Sequence, residues 1–263
     1  MKKHLSYIII ASLVFLSSCE KQDTGVDNIN NVQNFGFGRE SLSTKVDQSQ
    51  AYIDIPFFKT IATEENQTIN FQINNSATIN GIANDNSFSN SDFINLPTSV
   101  TIPAGSKVAY ARINFNHSNL AYSEKIINFI LTNPTETNNI SRRTFKLKYK
   151  ALCTLNEVSF NVTQDRYGSE TTWKIFDSNG SVVWSGGPYT DLSSNTTLVL
   201  PTQINCLPNG NYTLKVYDAY GDGMVTSSSV YGKYELKKSD GTTLVSGLGN
   251  AFTTVATHTF SLP

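Results

Sequence analysis

From Ala51 onward, apolar residues recur at every second position, in short runs broken by turn residues. In QTINFQIN, Ile69, Phe71 and Ile73 alternate with polar neighbours, and Val100 and Ile102 do so before a Pro103-Ala104-Gly105 turn. Past that turn Val108, Tyr110 and Arg112 share one phase, and Ala109, Ala111 and Ile113 the other. Phe145, Leu147 and Tyr149 are again in step. Side chains of a strand point alternately to its two faces, so this spacing describes strands with one buried face. Short strands separated by turn clusters predict an all-β fold of the sandwich type. The pattern resumes after Cys153, with Val158, Phe160 and Val162, then Trp173 and Ile175, then Tyr212, Leu214 and Val216. Asn179-Gly180 and Asp240-Gly241 supply the positive φ that tight hairpins need. Those hairpins, WKIFDSNGSVVWSG (173–186) and YELKKSDGTTLVSG (234–247), share an aromatic start, a turn glycine and a terminal Ser-Gly. Common turn chemistry explains the echo more simply than duplication.

The N-terminus reads as an address. Lys2 and Lys3 precede the apolar run LSYIIIASLVFL, which is too short for a stable span and ends in Leu-Ser-Ser-Cys at Cys19. This segment resembles the lipobox of bacterial lipoproteins. The resemblance implies removal of residues 1–18 and acylation of Cys19. Several acyl chains on one residue would hold the protein at an envelope membrane, for which the outer membrane is expected, with either face open. The alternatives are an ordinary secretory signal and an uncleaved anchor. Residues 19–47 show no sustained period and read as a flexible linker, with a reach of about 30 Å. The remaining chain divides into an expected sandwich over 48–150 and another over 151–263. Cys153 and Cys206 form an even pair in an oxidising compartment, where a disulfide is the natural reading and two buried thiols the alternative.

The stretch SVTIPAGSKVAYARINF followed by SEKIINFILTNP resembles Calx-β and related immunoglobulin-like modules. Some such modules bind calcium through an acidic cluster after the strand that follows this turn. Here Asn116, His117 and Ser118 occupy that stretch and only Glu124 is acidic, so calcium is not expected in the first domain. Further on, DRYGSETTWKIFDSNG, CLPNGNYTLKVYDAYGDGM and GKYELKKSDGTTLVSG resemble an accessory β-sandwich of secreted and surface proteins of Gram-negative bacteria. That resemblance implies an adhesive or accessory role rather than a catalytic one.

Within it, YDAYGDGM (217–224) poses the main chemical question. Asp218, Asp222 and Gly223 fit the first, fifth and sixth positions of an EF-hand loop, but Tyr220 and Ser229 stand where further ligands belong, so an EF-hand is rejected. A different oxygen cage is open to Asp165, Glu170, Asp177, Asp218 and Asp222. Asp218 continues the inward phase of Leu214 and Val216, and Asp177 that of Trp173 and Ile175; charges leaving a core face need partners. Alternatively, Asp218 and Asp222 simply build the turn and the other acids are solvated.

Catalysis has little to stand on. Beyond the N-terminal segment only His117 and His258 remain, no zinc-ligand spacing occurs, and no glycine-rich loop opens a helix. Paired acids could serve a hydrolase, the least favoured reading. A formal net charge of −1 offers no field for nucleic acid. Trp184, Tyr189 and Tyr220, with Tyr217 and Tyr231, lie in or beside loops where rings could meet a glycan. The expectation is a non-catalytic, lipid-anchored binding or adhesion module for glycan or an envelope protein. It requires no cofactor, and calcium is the candidate ion. A purely structural accessory subunit of an envelope complex is the alternative.

Overall fold

The computed structural model describes residues 34–79, 81–132 and 140–263. Alternation becomes strand where it was expected. The first half contains β1 (Phe35–Phe37), β2 (Ser41–Val46), β3 (Tyr52–Lys59), β4 (Gln67–Ile73), β5 (Thr78–Ile79) and β6 (Ile82–Ala83). It continues with β7 (Phe93–Asn95), β8 (Ser99–Ile102), β9 (Val108–Phe115), β10 (Lys125–Leu131), β11 (Ile140–Arg142) and β12 (Thr144–Ala151). Two sheets, ordered β11-β1-β3-β9-β7 and β2-β12-β10-β4-β8, face each other. Ile69, Phe71, Ile113, Phe145 and Leu147 point into the core between them, while Tyr110 points out. Phe37, Phe57, Phe71, Phe129 and Phe145 form a chain of ring contacts through its centre. At one end the Tyr149 hydroxyl donates to the buried Asp92 carboxylate at 2.6 Å. Burial, and then that carboxylate, push the Tyr149 phenol well above its ordinary pKa.

The sandwich starts earlier than the sequence pattern indicates. Residues 35–46, assigned above to the linker, form β1 and β2. Phe35, Phe37 and Val46 are buried, and β2 runs parallel to β12 along a sheet edge. A three-residue strand shows no periodicity, and an edge strand of Ser, Thr and Lys conceals its pairing.

The second half forms a separate core from Val158 to Leu262. Its strands are β13 (Asn156–Gln164), β14 (Thr171–Phe176), β15 (Val182–Gly186), β16 (Leu198–Val199), β17 (Gln203–Leu207) and β18 (Gly210–Asp218). They continue as β19 (Val225–Ser227), β20 (Val230–Tyr231), β21 (Lys233–Lys238), β22 (Thr243–Leu248) and β23 (Val255–Leu262). One sheet is ordered β16-β13-β21-β22, with β17 also on β13, and the other β15-β14-β18-β23. Trp173 fills the centre, its ring 4.4 Å from that of Phe160. Cys153 and Cys206 are bonded, tying the entry to β13 onto β17. Beside the bridge, Lys150 of the first sandwich meets Glu157 of the second at 2.8 Å.

The hairpin echo has a packing cause beyond its turns. Trp173 pairs across the ladder with Gly186, and Tyr234 with Gly247. Each aromatic ring lies flat over its partner glycine: a Cβ on Gly186 would come within 2.6 Å of the Trp173 ring, and one on Gly247 would overlap the Tyr234 ring. The repeated aromatic start and terminal Ser-Gly are therefore one cross-strand device used in both sheets. Gly186→Ala and Gly247→Ala are each expected to destabilise the second sandwich by about 1–3 kcal/mol through overpacking, read as a lower denaturant midpoint at unchanged slope. A neutral result at either position would mean that the ring has room to move.

Candidate functional site

The acids of interest come together where three strand ends meet. β13 ends at Gln164 and Asp165 follows, its Oδ2 accepting from the Thr226 hydroxyl at 3.2 Å. A single 3-10 turn, Gly168–Glu170, then leads into β14. Thr171 at the start of β14 pairs with Asp218 at the end of β18, and the Ala219 N–H donates to the Glu170 carbonyl at 3.0 Å. The loop that carries Asp222 is thereby fastened beside Glu170. Asp218 builds this turn: its Oδ1 accepts from the N–H groups of Gly221 and Asp222. Gly221 and Gly223 have φ of 96° and 81°. Any side chain on Gly223 would meet the carbonyls of Gly249 and Phe252.

The turn and the acidic cluster coexist. Glu170, Asp218 and Asp222 each bring one carboxylate oxygen to within 4.8 Å of the others. Asp218 is 5% exposed and Asp165 2% exposed. Among the described residues, no lysine or arginine forms a salt bridge with this trio. Burial, and then the charges of Asp218, Asp222, Asp165 and Asp191, raise the pKa of Glu170. Burial chiefly raises that of Asp165, with Asp218 adding to it and hydrogen bonds opposing it. At the end of β13 and the start of β14, Gln164 Oε1, Asp165 Oδ1 and Thr171 Oγ1 are buried without a hydrogen-bond partner; the one other such side-chain atom among the described residues is His117 Nε2. Buried polar atoms are normally paired, so these oxygens stand out among the described residues.

The sign of the pH effect follows. Glu170 and Asp165 hold protons more tightly folded than unfolded, so their contribution favours folding at low pH and is lost as pH rises through their raised values. Asp47, Asp54, Asp85, Asp191 and Asp240 are shifted downward by hydrogen bonds and act in the opposite sense. Glu170→Gln is expected to stabilise the protein in chelator near neutral pH by an amount on the order of a few tenths of a kcal/mol, seen as a slightly higher melting temperature, while weakening cation binding. A melt lowered without metal would contradict the repulsion described.

Not every residue singled out by sequence belongs to this cluster. Asp177 lies past the far end of β14, where its Oδ1 accepts from the N–H groups of Asn179 and Ser181 at 2.9 Å; it caps the hairpin turn. Alternation predicted its phase but not which end of the strand it occupies. Trp184 packs edge-on against Trp173 with ring centres 5.0 Å apart, and the Tyr189 hydroxyl accepts from Trp173 Nε1 at 2.7 Å. Both are partly buried parts of the core wall. Tyr220, in contrast, is 78% exposed. Glu124 pairs with Lys148 at 3.2 Å. Cys19 lies outside the described residues.

Other features carried no signal in the sequence. Asp191 reaches the site from a distant loop and accepts from the Ser169 N–H at 2.8 Å. A cavity of about 570 Å³ opens near Tyr234, Phe252 and His258. There the Tyr234 hydroxyl and His258 Nε2 lie 2.8 Å apart. Burial pushes Tyr234 up to about 12 and His258 down.

No family model and no curated protein matches the chain. Among solved structures it is similar to the apo form of the Calx CBD1 domain, at 10% identity and a TM-score of 0.34, over 46% of this chain and 98% of that one. It is similar also to the calcium binding domain CBD12 of CALX1.1, at 9% identity and a TM-score of 0.35, over 70% of this chain and 79% of that one. A two-domain protein of unknown function from Bacteroides fragilis is similar at 10% identity and a TM-score of 0.33, over 90% of this chain and 96% of that one. Likeness at this level says nothing of ligand or activity.

Proposed function

We propose that the chain is a non-catalytic binding module of the cell envelope, lipid-anchored through Cys19, whose second sandwich is braced by Ca²⁺ at Glu170, Asp218 and Asp222. The observation that carries the calcium reading is the convergence of three carboxylates that, among the described residues, no lysine or arginine salt-bridges. The donors are all oxygen, with no histidine or cysteine among them, which suits a hard cation rather than zinc or copper. They come from two loops and differ in burial, a setting that Ca²⁺ accepts with its six to eight ligands and Mg²⁺, with its strict octahedron, does not. The anchor and the non-catalytic role rest on the sequence: the Leu-Ser-Ser-Cys segment, and the want of any nucleophile–base–acid pattern.

Calorimetric titration of the full chain tests the ion. One Ca²⁺ per chain is expected, with a dissociation constant on the order of 10⁻⁴–10⁻³ M, as in extracellular modules. Asp218→Ala should remove the binding. The absence of heat at millimolar Ca²⁺, or equal binding by the variant, would overturn this reading.

A further inference from the structure

We infer that the outer edge of β23 is a docking site for an extended peptide, which adds to the sheet as a further strand and lays alternate apolar side chains over the cavity beside Tyr234 and His258. One observation of backbone and one of packing support it, and neither involves the acidic cluster.

The first is an edge left open. The sheet β15-β14-β18-β23 ends at β23. At eight residues it is the longest edge strand among the described residues, where no other exceeds six. Its ladder to β18 runs without a bulge from Gly210↔Leu262 to Tyr217↔Val255. The Asp218 N–H donates to the Thr254 carbonyl at 3.0 Å, which fixes the phase of the ladder. In an antiparallel pair, opposed residues alternate between exchanging both bonds and exchanging none. Ala256, His258, Phe260 and Leu262 therefore bond to β18, and the N–H and C=O groups of Val255, Thr257, Thr259 and Ser261 face away from it. Among the described residues nothing else bonds to these outer groups. The row is about 20 Å long. Edge strands are usually guarded by charge or proline, yet no lysine, arginine, aspartate, glutamate or proline lies between Val255 and Leu262.

The second is a gap on the same side of the sandwich. β22 and β23 are edges of opposite sheets, joined through residues 249–254. The cavity of about 570 Å³ is lined from both, by Leu248 of β22 and by Ala256 and His258 of β23, with Tyr234 and Phe252. Ala256 and His258 are alternate, half-buried residues on the core side of β23. A strand added along this edge repeats the alternation, so every second side chain of it lies over the cavity. The two charges in the lining, Lys233 and Glu235, are of opposite sign, which favours uncharged side chains there. A second copy of the chain fits less well. The inward residues Phe260 and Leu262 of its β23 are already buried in its own core, so pairing edge to edge leaves both cavities unfilled.

Selection of random short peptides displayed on phage against the full chain, followed by titration of the synthetic peptides, tests the inference. Enriched peptides are expected to carry apolar residues at every second position and, when bound, to protect the amides of Val255, Thr257, Thr259 and Ser261 from hydrogen exchange. Thr257→Pro removes an outer donor and no bond to β18; it should weaken peptide binding about tenfold. Exchange protection in the wild type decides the matter should that variant fail to fold. A selection that enriches nothing, peptides that leave the four amides unprotected, or equal binding by a folded Thr257→Pro would overturn the docking site. Protection of the same amides that rises with protein concentration, without peptide, would also overturn it, because the edge would then be a seam between two copies of the chain.

Discussion

Calcium in excess over its dissociation constant is expected to raise the melting temperature of the second sandwich by about 10 °C. A ligand that binds only the folded state adds about 2.7 kcal/mol at a hundredfold excess. A domain of about this size gains roughly 4 °C per kcal/mol. An opposing effect acts without the ion: burial first, and then nearby carboxylates, Asp218 among them, raise the pKa of both Glu170 and Asp165. A divalent cation held by Glu170, Asp218 and Asp222 offsets the repulsion among these three acids. The two aspartates separate turn from ion. Asp218→Ala loses the bonds to Gly221 and Asp222 as well as a ligand, so it should melt lower even in chelator. Asp222→Asn leaves the turn in place and should behave like the wild type in chelator while losing most of the calcium shift. If both variants keep the full shift, the ion lies elsewhere.

The second large effect concerns the bridge. Cys153 and Cys206 are 53 residues apart, and closing a loop of that length in the unfolded chain corresponds to about 4 kcal/mol. The Cys153→Ser, Cys206→Ser pair is expected to lose much of this, seen as a drop of more than 10 °C in the melt of the second sandwich. The bridge holds the entry to β13 against β17, which itself pairs with β13 from Asn156 to Phe160. Without it the edge pairing of β17 would be the first to open. A double variant that melts with the wild type would show that the β13–β17 ladder holds that edge unaided.

How far the sequence discloses this molecule depends on the range over which each signal acts. Alternation at Ile69, Phe71 and Ile73, or at Val158, Phe160 and Val162, is local and repeated, so strand faces and the two cores could be read directly. Asp218 was legible as a buried charge because it continues the inward phase of Leu214 and Val216. Asp177 obeys the same rule and is nevertheless a turn cap, since phase fixes a face and not an end of the sheet. Phe35 and Phe37 sit in a stretch too short to show a period. Trp184 and Tyr189 sit beside loops in sequence, but pairing with Trp173 draws them into the core. Gln164 Oε1 and Thr171 Oγ1 offer no sequence signal at all: only the meeting of β13, β14 and β18 makes their lack of partners visible.

Tyrosine-sensitised terbium luminescence of the full chain is the most direct measurement of the cation site, because Tyr167 and Tyr220 stand in its own loops. Emission that saturates at one ion per chain, is displaced by Ca²⁺, and is lost in Asp218→Ala and strongly reduced in Glu170→Gln is the expected result. Emission that is absent, or that persists unchanged in both variants, would contradict a calcium site at Glu170, Asp218 and Asp222.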